Sequence, residues 1–206
     1  MAIPQVLILP GWQGSGAGHW QSRWEVLYGY QRVEQHDWMR PLRGDWMLRL
    51  EEEVLKGGDP LLSPGSPKTK DAPPGGRGPR EAGERGGLFL VAHSLGCILV
   101  AWWAAHSRHT DRVAGALLVA PPDIERDDNR QAIPGWTPVQ RQRLPFKSVL
   151  VASSDDPFCS LDHASRLAAD WGASFYRLGA KGHINADSGL GDWEEGHALL
   201  ANLSHS

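Results

Sequence analysis

The chain has little that would send it to a membrane or to a polyanion. Its 206 residues include two cysteines and three methionines, and the formal charge is −3 with a pI near 6.3. There is no basic excess to follow a phosphate backbone, so nucleic-acid binding lacks electrostatic support. Cys97 and Cys159 match no metal-ligand spacing, and two reduced, partly buried thiols are expected. The start, MAIPQVLILPG, has no charged leader region and runs directly into a first strand, which reads as no signal peptide and a cytoplasmic protein. The longest apolar stretch, Leu88 to Ala105, approaches the roughly 18 residues of a membrane span. His93, Ser94 and Gly96 interrupt it, so no membrane partner is expected.

What that stretch does contain is a change of character at Ser94. Leu88, Phe89, Leu90 and Val91 suit a strand buried on both faces, whereas Leu95, Leu99, Trp102 and Trp103 recur with helical spacing. A strand that turns sharply into a helix pushes the serine hydroxyl out above the sheet and places free backbone N–H groups behind it. The usual pattern is G-x-S-x-G, because small residues two positions away let the backbone fold back. Here Ala92 replaces the first glycine and Gly96 is kept.

A serine hydroxyl is a weak nucleophile unless a histidine takes its proton and a carboxylate fixes that histidine's tautomer. In sheets of this kind the chain order is Ser, Asp or Glu, then His. The sequence offers SSDDPF after the strand SVLVA, and GAKGH after the strand SFYRL. Asp156 is the preferred carboxylate because Pro157 fixes the turn after it; Asp155 is the alternative. His183 is the expected base. Charge on a tetrahedral intermediate needs two donors, and the backbone N–H groups of Leu95 and Trp12 are the candidates, with Gln13 as second choice for the latter.

Apolar runs at 6–9, 31–35, 88–92, 113–120, 148–152 and 174–178 alternate with helical segments at 19–27, 45–55, 94–106, 160–171 and 192–203. Asp192, three residues before Glu195, gives the last helix a capping signal. This βαβ rhythm predicts one domain over 1–206, a compact α/β three-layer sandwich of about six mainly parallel strands with helices on both faces, and the short 121–146 connection leaves no room for a large cap domain. Residues 57–86, crowded with Pro, Gly and charge, bury almost nothing and are expected to form a disordered insertion.

The stretches PGWQGSGAGHWQSRWE, LVAHSLGC, GALLVAPPD, SSDDPF and GHINADSGLGDWEEG together resemble the RBBP9/YdeN family of small serine hydrolases, over nearly the whole chain except 57–86. The resemblance implies an α/β-hydrolase fold, a hydrolytic activity and a triad of Ser94, Asp156 and His183. It implies no cofactor. One mammalian member is named for binding retinoblastoma protein through an L-x-C-x-E motif; here Leu95-Gly96-Cys97-Ile98-Leu99 lacks the glutamate, so that partner is not carried over.

Trp24, Trp102, Trp103 and Trp171 fall on helices and are expected in the core. Gln13, His19, Trp20 and Trp193, with Trp12, flank the triad loops and are candidates for a substrate pocket. His93 is expected to be structural, buried behind the elbow, and His163 and His197 have no partner at metal-ligand spacing, so no metal is indicated. The expected reaction is acyl transfer from a small ester-like substrate to Ser94 and then to water. The rival reading is an interaction protein that retains the fold with little turnover. The oligomeric state is not legible.

Overall fold

The computed structural model describes residues 5–57 and 87–205, so the insertion expected at 57–86 lies outside the described residues apart from Gly57. Six strands form one wholly parallel sheet in the order β2-β1-β3-β4-β5-β6: β1 (Gln5–Leu9), β2 (Gln31–Arg32), β3 (Leu88–His93), β4 (Val113–Val119), β5 (Lys147–Ser153) and β6 (Ser174–Gly179). The helices are α1 (Trp20–Tyr28), α2 (Arg43–Gly57), α3 (Leu95–His106), α4 (Asp127–Ala132), α5 (Leu161–Trp171) and α6 (Glu194–His205).

Alternation along the strands divides the core in two, since successive side chains leave a strand on opposite faces. Leu7, Leu9, Leu90, Ala92, Ala116, Leu118, Leu150 and Ala152 point to the face that buries α2, α3 and α5. Val6, Ile8, Phe89, Val91, Leu117, Val119 and Val151 point to the face covered by α1 and α6. The central strand β3 is buried at every position, as a strand covered on both sides must be. Helix α3 is buried from Leu95 to Trp103, which fits its lack of a polar face. Helix α5 instead buries one stripe, His163, Ala164, Leu167, Ala168 and Trp171, and is closed by the Ser160 side chain at its start and Gly172 in the left-handed region at its end.

Three expectations need correction. The second strand is two residues rather than five: Val33 N–H still reaches the Ile8 carbonyl (2.9 Å), then the chain leaves the sheet edge, with Glu34 exposed. Asp192 does not cap α6, which begins at Glu194; its carboxylate takes Arg23 Nε at 2.5 Å and its carbonyl takes Trp24 Nε1 at 2.6 Å. Helix α4 is an element that the sequence patterns do not predict. It lies in the 121–146 connection between β4 and β5, the place where a cap would be inserted, but Ile124, Ile133, Trp136, Val139, Leu144 and Phe146 of that connection are buried in the main core. The segment packs down onto the domain and forms no large cap.

Candidate active site

Ser94 stands at the strand-to-helix turn after β3, with φ 54° and ψ −124°. A non-glycine residue in that region is strained, and the fold over-determines it. Ser94 N–H donates to the Val119 carbonyl at 2.9 Å, and two glycines let the neighbouring loop close in. A Cβ on Gly96 would sit 2.3 Å from the Leu9 carbonyl oxygen, and one on Gly11 would sit 2.7 Å from Ser94 Cβ. Ala92, in the place of the pattern's first glycine, is fully buried.

Three strand ends converge here. Ser94 Oγ lies 2.8 Å from His183 Nε2, and His183 Nδ1 lies 2.9 and 3.0 Å from the two oxygens of Asp156. With an ionised carboxylate at Nδ1, that nitrogen carries the proton and Nε2 is free to accept from the serine. Asp156 is withdrawn from water, with 3 % of its side chain exposed, and its Oδ1 also accepts the Phe158 N–H at 2.9 Å across the Pro157 turn. Asp155, the sequence alternative, is exposed and aimed elsewhere: its Oδ1 accepts Ser153 Oγ–H and Gly182 N–H, both at 2.7 Å. These bonds hold its carboxyl below the usual range.

The loop after β1 approaches from the other side. Gly11 and Gly14 close a turn, Gly14 N–H to the Gly11 carbonyl at 3.0 Å, with Gln13 at φ 68°. Gln13 N–H is committed to the Trp38 carbonyl at 3.0 Å, so the second-choice oxyanion donor is taken. The Trp12 N–H has no partner among the described residues, and the Leu95 N–H lies in the first turn of α3, where helical N–H groups lack intrahelical acceptors. The Trp12 ring is 36 % exposed and is tethered by Nε1 to the Met39 carbonyl at 3.1 Å.

The other pocket candidates fare differently. Trp20 is 1 % exposed, with Nε1 donating to the Ile184 carbonyl at 2.8 Å, and Trp193 is 4 % exposed, edge-on to Trp20 and stacked on Trp24. Both are core residues under the His183 loop and offer no face to a ligand. His19 is buried as well: its Nδ1 accepts Gln21 N–H as the cap of α1, and its ring meets that of His93 at 4.7 Å. Burial, Arg32 and His183 press its pKa down to about 4. Gln13 is exposed beside Trp12. Phe158, which the sequence did not single out, is 41 % exposed with its ring 4.6 Å from that of His183. Gln21, also missed, is fully buried and ties the carboxyl ends of β1 and β3 together through the Leu9 and Val91 carbonyls at 3.3 and 3.1 Å.

Both cysteines are free and buried, and burial pushes the Cys159 thiol up to about 12, with Asp156 and Asp123 adding to it. Among the described residues no group of three or more His, Cys, Asp or Glu side chains could hold a metal ion, and no helix is long and apolar enough to cross a membrane.

The serine hydrolase family matches residues 6–62 and 81–202 of this sequence. The chain belongs to that family. Among solved structures, a YdeN-like hydrolase of Pectobacterium atrosepticum is 27 % identical with a TM-score of 0.71, over 98 % of this chain and 90 % of that one. The YdeN protein of Bacillus subtilis is 20 % identical with a TM-score of 0.69, over 99 % and 100 % of the two chains. Est1E of Butyrivibrio proteoclasticus, solved with ferulic acid, shares the fold at 12 % identity and a TM-score of 0.68, over 99 % and 90 %. No protein of curated function matches the sequence. The RBBP9/YdeN resemblance of the motifs therefore holds for the family, and with it the α/β-hydrolase fold and hydrolase class.

Proposed function

We propose that this serine hydrolase cleaves small ester-like carbonyl substrates through an acyl-enzyme on Ser94. The observation that carries the reading is the continuous hydrogen-bonded chain Asp156–His183–Ser94, with every link between 2.8 and 3.0 Å and the serine on a strained elbow. In this reading Ser94 Oγ attacks the substrate carbonyl carbon while its proton passes to His183 Nε2. The carbonyl oxygen becomes an oxyanion that accepts from the Leu95 and Trp12 N–H groups. Asp156 holds the imidazole in the attacking tautomer and offsets its charge once it is protonated. His183 returns the proton to the departing alkoxide, thiolate or amine. A water then attacks the acyl carbon while His183 Nε2 takes its proton, and collapse of the second tetrahedral intermediate returns that proton to Ser94 Oγ and releases the carboxylic acid. The exposed Phe158 ring against His183 favours an apolar acyl part, and without a large cap the acyl part should be short.

A fluorophosphonate probe tests the activated serine without knowledge of the substrate. Wild type should label, and Ser94→Ala and His183→Ala should not. Equal labelling of wild type and Ser94→Ala would sink the reading, and an unlabelled wild type would favour the fold as an interaction scaffold. With p-nitrophenyl esters, acetate or butyrate should turn over faster than long-chain homologues.

A further inference from the structure

The loop that carries His183 is held by side chains from three other parts of the chain. Lys181 N–H donates to Ser153 Oγ at 2.8 Å, Gly182 N–H donates to Asp155 Oδ1 at 2.7 Å, and the Ile184 carbonyl accepts Trp20 Nε1 at 2.8 Å. The carbonyl of His183 itself is bonded by His93 Nε2 at 2.9 Å. A carbonyl only accepts, so Nε2 of His93 carries the proton there. His93 is the last residue of β3 and immediately precedes Ser94.

We infer that His93 is a positioning residue for the base: it fixes the main chain of His183 relative to the strand that presents the nucleophile. The inference rests on the proposed roles of Ser94 and His183. Its physical basis is leverage, because the 2.8 Å contact between Ser94 and His183 joins two loops whose sequence positions are far apart. Misplacing a reacting group by about 1 Å can cost on the order of a hundredfold in rate. A rigid imidazole rooted one residue from the nucleophile removes that freedom. The ring is 5 % exposed and lies between the rings of His19 at 4.7 Å and His183 at 5.0 Å. Burial, reinforced by His183 and His19, keeps it uncharged. It therefore donates its hydrogen bond without setting a second positive charge beside the imidazolium that forms on His183. A plain core role would be met by any apolar side chain of similar volume; the bond to the His183 carbonyl would not.

The discriminating measurement is the rate of labelling by a fluorophosphonate, divided into the binding constant and the maximal rate of inactivation. His93→Phe should fold, bind the probe within about threefold of wild type and inactivate at least about tenfold more slowly. His93→Gln, whose amide can donate to the same carbonyl, should recover most of the rate. Equal rates for wild type and His93→Phe, or equal defects in the Phe and Gln variants, would overturn the inference. If wild type does not label, the proposed function fails first. The inference is then read directly by nuclear magnetic resonance of the histidine ring nitrogens: an exchange-protected proton on His93 Nε2 in wild type supports the contact. Absence of that proton, or a His183 backbone environment unchanged in His93→Phe, removes it. Should His93→Phe not fold, His93→Leu takes its place in the same comparison.

Discussion

The two edges of the sheet solve the same problem in different ways. At both, the chain must reverse between strand and helix, and left-handed backbone is one means of doing so. At the amino edge the residues that adopt it where α1 and α5 end are glycines, Gly29 at φ 69° and Gly172 at φ 67°, for which this geometry carries no Cβ clash. At the carboxyl edge glycines such as Gly14, Gly179 and Gly182 adopt positive φ too, but so do Gln13, Ser94, Ala120, Ile184 and Trp193, the five non-glycine residues with positive φ among those described. Each costs on the order of 1 kcal/mol or more. The strain is concentrated where three loops must place Ser94, His183 and Asp156 within hydrogen-bond reach. The amino edge is built for stability and the carboxyl edge for placement.

The comparison is tested most strongly at the two adjacent aspartates of the carboxyl edge. Asp156→Asn can no longer stabilise the charged imidazole, and turnover should fall by roughly 10⁴ with the fold intact. Asp155→Asn keeps an oxygen for Ser153 and Gly182 and should cost less than about tenfold, since an acceptor suffices there. Turnover and thermal melting of both variants decide the matter, and a reversed order would transfer the role to Asp155.

Backbone substitutions sharpen it next. Gly96→Ala drives a methyl to 2.3 Å from the Leu9 carbonyl, where backbone must move, and should destabilise by about 3 kcal/mol or more. Gly29→Ala meets nothing within 4 Å and carries only the left-handed penalty, about 1 kcal/mol. Denaturant unfolding of the pair measures both. Similar losses would mean that the elbow is no more tightly over-determined than a helix end.

Acid should act through the carboxyl edge as well. Unfolded histidine binds a proton near pH 6.5, whereas buried His19 does so only near pH 4. Between those values the unfolded chain binds more protons, so the stabilising contribution is complete above pH 6.5 and is lost as pH falls towards 4. Its size follows from the 2.5-unit gap, about 3 kcal/mol. His19→Asn keeps an acceptor for Gln21 N–H at the start of α1 but does not titrate. Its unfolding free energy should vary less than wild type's between pH 7 and pH 4.5; parallel curves would show that His19 takes no part.

Much of this architecture was legible because apolar runs and strand-end positions are local features. The six strands, the elbow at Ser94 and the order Ser94, Asp156, His183 all follow from patterns a few residues long. The illegible parts depend on partners far away in the chain. Trp20 and Trp193 lie beside the loops in sequence, but only tertiary packing shows that they turn inward beneath them. An acidic residue three before a glutamate reads as a helix cap, and nothing local shows that Arg23 claims Asp192 instead. Helix α4, DDNRQA, has no apolar period; it is held by Asn129, which donates to the Asp123 and Phe158 carbonyls at 2.8 and 3.0 Å. The long-range bonds that hold 181–184 involve residues 27 to 164 positions away and leave no motif.

The smallest effect is expected from the amino edge itself. Gly57 ends α2 against the Gln5 side chain, and Gly87 leads into β3 beside Ala114, so both ends of the connection stand at the strands' starts. Ser94, Asp156 and His183 stand at the opposite ends of those strands. The family match itself passes over residues 63–80. Removing 63–80 shortens the connection from 29 residues to 11, and for a freely closing chain the logarithmic rule puts the gain at about 0.9 kcal/mol. The deletion should therefore leave labelling rates and ester turnover nearly unchanged and raise the melting temperature slightly. A loss of more than about tenfold in a variant that melts like wild type would show that the connection reaches across to the carboxyl edge, and the division of labour between the two edges would no longer hold.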